Sequence, residues 1–236
     1  MECCSIASAS TSLVNDWDMR SIAELTSVES SWPHVLDLLS TSPFQYEVVP
    51  APQAQREASL HDLQVTVHSV MGALVWNCGL IAIDHGWVRL LGAGLGSIDG
   101  LHVEKLADVN TAREFEGIVA AQDVMGGLFV VHGGGLEADA GEVVYWAPDT
   151  LDWSRLRMGH ADLVAFLLSD RLSVFYGDLR WDGWEASVGE LTFDQGISAY
   201  PFPWTEEGRK AGVTRRAVPM SELVAFTFDA AMQLSS

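Results

Sequence analysis

Residues 73–91, ALVWNCGLIAIDHGWVRLL, decide the fold class. They contain three short apolar runs, ALVW, GLIAID and WVRLL, separated by polar residues and glycines. Short apolar runs bounded by turn residues are typical of strands, and Asp84-His85-Gly86 is typical of a tight hairpin connection. Because the alternating segment 63–69 comes just before, an antiparallel meander is predicted to begin there.

Further strands and helices are predicted on both sides of this stretch. Alternating or apolar runs predict strands at 44–49, 127–133 and 141–147. Capping residues, early prolines and apolar faces predict helices near 31–39, 50–64, 160–170, 182–192 and 219–232. Two stretches, 92–116 and 209–216, are predicted to be loops. The whole pattern predicts an α+β fold, in which a mostly antiparallel central sheet is flanked by helices in a single domain.

The charge of the 236-residue chain is strongly one-sided. Thirteen Lys and Arg stand against 32 Asp and Glu, which gives a net charge of −19, while 48% of the residues are apolar. This apolar content is too high for a disordered chain. Binding to nucleic acid or to an anionic membrane requires clustered Lys and Arg, which the chain mostly lacks. We therefore expect neither a nucleic-acid nor a membrane partner.

The N-terminal residues and the cysteines indicate a reducing compartment. Residues 1–18 lack the basic and unbroken apolar regions of a secretory signal, which predicts a flexible tail before a domain at 19–236. Cys3, Cys4 and Cys78 are odd in number and match no zinc or redox spacing. Together these features predict a cytoplasmic protein.

Several motifs resemble catalytic sequences but lack the partners that the chemistry needs. GAGLG at 92–96 is not followed by an apolar helix that could hold a dinucleotide pyrophosphate. HGGG at 132–135 resembles an oxyanion loop, but no G-x-S-x-G elbow follows, and the last histidine is His160. No metal-ligand spacing occurs either. We therefore expect no cofactor and no metal.

Two clusters combine aromatic and charged residues and are candidate binding sites. Their members are Asp84, His85, Trp87 and Arg89 in the hairpin connection, and Asp178, Arg180, Trp181 and Trp184 after the helix at 160–170. Trp and Arg dominate the hot spots of protein interfaces, and a guanidinium can stack on an indole. The alternative for both clusters is structural, with the tryptophans packing in the core or at the start of a helix.

A third cluster is basic. Four of the 13 cations, Arg209, Lys210, Arg215 and Arg216, lie within eight residues of the chain. They can pair with the protein's own acids or dock an anionic group of a partner, and the sequence leaves both interpretations open.

Long motifs over most of the chain resemble those of a bacterial family known as a domain of unknown function. They are VMGALVWNCGLIAIDHGWVRLLGAG, DVMGGLFVVHGGG, GEVVYWAPDTLDW, FYGDLRWDGW and DQGISAYPFPWT. The resemblance runs from about Trp32 to the C-terminal helix and leaves out residues 1–18, while the loop after Gly96 departs from the family pattern. It implies no catalytic residue, because the family has none established.

A shorter region resembles the core of the SUKH superfamily. It comprises GGLFVVHGGGLEADAGEVVYWAPDT at 126–150 and the helix HADLVAFLLSD at 160–170. This resemblance implies an α+β, cytosolic, non-enzymatic and often acidic protein. Many members of that superfamily are immunity proteins against secreted nuclease toxins.

Two functions therefore stay open. The large negative charge, without a complete catalytic motif, favours an acidic protein-binding module with a basic protein partner, such as an immunity protein that neutralises a basic toxin or nuclease. The alternative is an enzyme with its active site around Asp84, His85, Arg89 and His132. That alternative requires the four residues to converge in one pocket.

Overall fold

The structure, a computed structural model, describes residues 19–96, 98–109, 113–134, 138–209 and 212–234. The predicted tail, with Cys3 and Cys4, lies outside these residues. The helices in the described ranges are α1 Ile22–Thr26, α2 Trp32–Thr41, α3 Gln53–Leu63, α4 Val70–Asn77, α5 His160–Leu167, α6 Arg171–Phe175, α7 Trp184–Gly189 and α8 Met220–Leu234. A 3₁₀ turn spans Glu207–Arg209.

Most of the strands belong to one antiparallel sheet. The strands are β1 Tyr46–Val49, β2 Leu80–Ile83, β3 Val88–Leu91, β4 Gly94–Leu95, β5 Ile98–Asp99, β6 Val103–Asp108, β7 Arg113–Asp123, β8 Leu128–His132, β9 Val143–Ala147, β10 Asp152–Arg155, β11 Gln195–Tyr200 and β12 Thr214–Pro219. In the described residues, eight of them form a sheet in the order β1-β2-β3-β7-β8-β9-β10, with β6 also paired to β7. The predicted α+β fold with a mostly antiparallel sheet and flanking helices is confirmed.

Strand β7 is long enough to join two parts of this sheet. Along one edge its residues 113–118 pair with β6 and its residues 121–123 pair with β3. Its other edge pairs with β8. The pair β4–β5 and the hairpin β11–β12 stand as separate two-stranded units.

Both faces of the sheet are covered, as the alternation along β9 shows. Val143 and Tyr145 pack into the main core, which also contains residues of α1 to α7. Trp146 points to the other face, where it stacks on Phe228 of α8 with the ring centroids 4.3 Å apart. The indole Nε1–H of Trp146 also donates a hydrogen bond to Thr227 Oγ1 at 3.0 Å. Helix α8 therefore covers this face of the sheet, where Trp204 also packs.

The prediction of strands at 63–69 and at the run ALVW is wrong, whereas the strand predicted at 44–49 is confirmed as β1. The run ALVW lies in α4, which begins after Ser69, whose hydroxyl accepts a hydrogen bond from the Gly72 N–H. A short apolar run has no periodicity that separates a buried helix from a buried strand, and here the serine cap starts a helix. The alternating segment 63–69 forms no strand either. Gln64, with a φ of 52°, ends α3.

The two predicted loops are also partly wrong. The stretch 92–116 contains β4, β5, β6 and the beginning of β7. A side chain at Gly100 would collide with the backbone of Ala93, so this glycine permits close backbone packing there. In the stretch 209–216, Arg215 and Arg216 lie on β12. Nothing is described of Lys210.

Candidate functional site

The two predicted aromatic and charged clusters meet around the guanidinium of Arg180. Its Nη2 donates a hydrogen bond to Asp84 Oδ2 at 2.5 Å. The side chains of Arg180 and Asp84 are only 13% and 9% exposed. Because burial removes both charges from water, each depends on the other for compensation.

Three aromatic rings surround the same guanidinium. Arg180 Cζ lies 4.3 Å from the ring centroid of Trp184, 5.1 Å from that of Trp87 and 5.8 Å from that of Tyr176. The rings of Trp87 and Trp184 meet edge to face, with their centroids 5.0 Å apart. The electron-rich faces of such rings attract a cation. We call Asp84, Trp87, Tyr176, Arg180 and Trp184 the arginine cage.

The turn between β2 and β3 brings Asp84 into the arginine cage. The Trp87 N–H donates a hydrogen bond to the Asp84 carbonyl at 2.9 Å, and His85 and Gly86 have φ angles of 58° and 86°. This is the geometry of a type I′ hairpin turn, which favours glycine because both central residues need positive φ. The hairpin connection predicted from the sequence is confirmed.

Two other predicted residues lie at the edge of the arginine cage. The ring of His85 meets Trp184 edge to face at 5.7 Å, and Trp181 lies 5.7 Å from Trp87. On the outer side, Arg215 Cζ is 4.3 Å from the Trp181 ring. Arg215, one member of the predicted basic cluster, therefore lies against Trp181. No described acidic side chain forms an ion pair with Arg215 or Arg216.

A cavity of about 800 Å³ adjoins the arginine cage. Its lining includes Asp149, Asp178, Arg180, Trp181 and Arg215. Charges of both signs therefore face this cavity, and Trp181 provides an aromatic wall. The predicted Asp178 and Arg180 of the arginine cage both line this cavity.

The predicted Arg89 lies outside the arginine cage, beside a second cavity of about 260 Å³ that His85 also lines. Arg89 is 1% exposed, and its Nη1 donates a hydrogen bond to the Gln195 carbonyl at 2.5 Å. Burial lowers the pKa of Arg89 to about 10, an effect that Asp123 and Asp194 oppose. Arg89 is therefore still positively charged at neutral pH.

Sequence reasoning missed the fully buried carboxylate of Asp123. It accepts hydrogen bonds from the hydroxyls of Tyr145 and Tyr176, at 2.7 and 2.9 Å, and from the N–H groups of Met125 and Gly127. Burial raises the pKa of Asp123, and the four hydrogen bonds act in the opposite direction. An aspartate three residues before a glycine pair, here Gly126-Gly127, is a turn signal that could have drawn attention to it.

The four residues of the predicted enzyme site do not share one pocket, which corrects that expectation. His132 pairs with Gly117 of β7, whereas Arg89 pairs with Gln122, five residues farther along the same strand. At a rise of about 3.3 Å per residue, this separates the two by about 16 Å along the sheet. His132 instead packs against Phe115, with ring centroids 5.1 Å apart, and burial lowers its pKa.

The chain around α7 is acidic and exposed. Between residues 172 and 208 the sequence has seven Asp and Glu and a single cation, Arg180. All seven acids are exposed: Asp178, Asp182, Glu185, Glu190, Asp194, Glu206 and Glu207. Because Arg180 is buried against Asp84, its charge does not offset theirs at the surface. We call residues 178–190 the acidic segment.

The described residues contain no group of three His, Cys, Asp or Glu side chains placed to hold a metal ion. Nor is any helix within them long and apolar enough to cross a membrane. Burial raises the pKa of the Cys78 thiol to about 12, so this cysteine is a protonated core residue.

Comparison with known proteins agrees with the first resemblance. A family model described as "Protein of unknown function DUF2625" matches residues 22–223. The chain is 36% identical over 212 residues to an uncharacterized Escherichia coli protein, YbfG, and the match covers 87% of this chain and 94% of YbfG. It is 28% identical over 207 residues to an uncharacterized protein of Haemophilus influenzae, covering 84% of this chain and 88% of the relative. No solved structure matches significantly. The SUKH resemblance stays a prediction.

Proposed function

We propose that this chain, which belongs to the family DUF2625, is a non-enzymatic cytoplasmic binding module. The description of the family gives no activity, so the proposal is argued from the residues of this chain. In this proposal the acidic segment binds a basic protein partner. The observation that carries the proposal is the charge balance around α7, where seven exposed acids accompany one buried cation.

Electrostatics support this choice of partner. A surface with one sign of charge speeds the encounter with an oppositely charged surface and discriminates against similarly charged proteins. Asp182, Glu185 and Glu190 form no ion pair with a described residue, so they keep their charge for a partner. A nuclease must attract a polyanionic substrate and therefore has a cationic cleft. The immunity function that the SUKH resemblance implies is a fitting special case.

The arginine cage gives the acidic segment a fixed position. Trp184, the first residue of α7, is held by Arg180, Trp87 and His85. Glu185 on α7, and Asp182 and Glu190 at its two ends, are thus attached to the sheet through buried contacts. A fixed array loses less conformational entropy on binding than a mobile one does.

The test is a pulldown with two variants of equal charge. In the first, Asp182→Asn, Glu185→Gln and Glu190→Gln neutralise the acidic segment. In the control, Glu29→Gln, Asp37→Asn and Glu114→Gln neutralise three exposed acids elsewhere. We expect the wild type and the control to retain the same basic proteins at low salt, to release them as salt rises, and the first variant to retain none. Equal retention by both variants, or no retained protein at any salt, contradicts the proposal.

A further inference from the structure

The 260 Å³ cavity lies on one cross-strand row of the sheet. Glu47 of β1 is opposite Ala82 of β2, which is in turn opposite Arg89 of β3. Side chains that are directly opposite in an antiparallel sheet point to the same face. The row therefore places an acid and a base two strands apart, about 10 Å between their Cα atoms, with only a methyl group between them.

At one end of this row, Arg89 has unused donor capacity. Its Nε is buried and has no hydrogen-bond partner among the described residues. Asp123 does not supply one, because its oxygens already accept four hydrogen bonds from other groups. A guanidinium has five N–H donors in a planar fork that suits a carboxylate. A buried guanidinium beside a cavity is therefore suited to bind that group.

At the other end, Glu47 is exposed and forms no ion pair with any residue of the described ranges. Its carboxylate lines the same cavity and would repel a simple anion. It would attract an ammonium group instead. Val188, Leu191 and Phe193 also line the cavity and give it an apolar wall.

We propose that this cavity binds a free α-amino acid with an apolar side chain. The ligand carboxylate binds Arg89, its ammonium group binds Glu47, and its side chain packs on Val188, Leu191 and Phe193. The volume is near the lower end of the range for small-molecule sites, which agrees with a ligand of amino-acid size. The cavity shares Val188 with the acidic segment, but none of the acids of that segment lines it, so either proposal can fail without the other.

The test measures ligand binding by thermal shift and calorimetry on the full chain. The probes are the apolar L-amino acids at millimolar concentration. Two leucine analogues are compared with them: 4-methylpentanoate, which lacks the ammonium group, and 3-methylbutylamine, which lacks the carboxylate. We expect at least one amino acid to bind and to raise the unfolding temperature, and both analogues to bind far more weakly. The proposal is overturned if no amino acid binds, or if 4-methylpentanoate binds as tightly as leucine.

Two substitutions test the placement of the ligand. Glu47→Gln changes an exposed residue and should fold normally, but it should weaken amino-acid binding about tenfold, as expected for the loss of a charge-assisted hydrogen bond. The control Glu29→Gln should bind as the wild type does. Ala82→Leu should fill the space between the two charges and abolish binding. If Ala82→Leu does not fold, Glu47→Gln decides, and unchanged binding by that variant overturns the proposal.

Discussion

Two buried arginines, Arg180 and Arg89, lie near the turn between β2 and β3, and the groups around their guanidinium ions differ. Arg180 is enclosed by the carboxylate of Asp84 and by three aromatic rings. Arg89 is even more buried, yet its guanidinium donates a hydrogen bond to a backbone carbonyl instead of a carboxylate, and it lines a cavity. The first arginine has a carboxylate partner, whereas no described carboxylate forms an ion pair with the second, and the Nε of each is buried without a hydrogen-bond partner among the described residues.

This difference separates a structural role from a capacity to bind. A buried charge that is fully compensated holds elements together, and breaking the pair leaves the partner stranded in the core. A buried charge with free donors beside a cavity can instead be completed by a ligand. Arg180 therefore has a structural role, whereas Arg89 is proposed to bind a ligand.

The largest expected effect concerns the arginine cage. Arg180→Met leaves the Asp84 carboxylate buried and unpaired, so we expect the free energy of unfolding to fall by about 3–5 kcal/mol. Urea denaturation followed by tryptophan fluorescence measures this change. Arg216→Met, an exposed position on β12, is the control and should have little effect. A loss for Arg180→Met as small as that of the control would break the comparison.

The loss of Arg89 should cost less. Arg89→Met removes one hydrogen bond and a nearby positive charge, but Asp123 keeps its four hydrogen bonds, so we expect a loss of about 1–3 kcal/mol. The same denaturation experiment measures it, with Arg89→Lys as the variant that retains the charge. If Arg89→Met proved as costly as Arg180→Met, both arginines would have to be regarded as structural.

The smallest effect should come from an ion pair that is exposed on one side, which sharpens the comparison. Arg155 Nη2 lies 2.6 Å from Glu142 Oε2, and the Arg155 and Glu142 side chains are 44% and 8% exposed. The hydrogen bond from Arg155, helped by those from the backbone of Asp139 and Arg157, lowers the pKa of Glu142 from 4.5 to about 2. Since the folded pKa lies below the unfolded one, the stabilisation is complete above pH 4.5 and disappears as the pH falls toward 2.

Glu142→Gln measures this pH dependence. The difference in unfolding free energy between wild type and variant should be constant above pH 4.5 and should shrink toward zero near pH 2. A difference that stays constant across the acidic range would mean that the ion pair does not form in solution.

Four of the five residues of the arginine cage, all except Tyr176, could be predicted from the sequence, but the geometry of the cage could not. Trp and Arg beside charged residues are unusual enough to single out both clusters. Their meeting depends on how α6 and α7 return over the hairpin, and nothing local in the sequence fixes a contact between Asp84 and Arg180, 96 residues apart. The binding role of these residues stays a prediction.

The amino-acid cavity was beyond sequence reasoning for a different reason. Glu47, Ala82 and Arg89 become neighbours only through the register of three strands, and a shift of one residue would turn each to the other face. Local signals did suffice for the hairpin, whose Asp84-His85-Gly86 connection has its own turn chemistry. They failed for α4, because its four-residue apolar run suits a buried helix as well as a strand.

Helix α8 has a consequence for biosynthesis. It follows every strand in the chain, yet it covers the face of the sheet that carries Trp146. While the ribosome is making the protein, this indole and its apolar neighbours have no cover until α8 emerges. A nascent chain stalled before residue 220 should therefore present an apolar sheet face, the kind of surface that chaperones recognise.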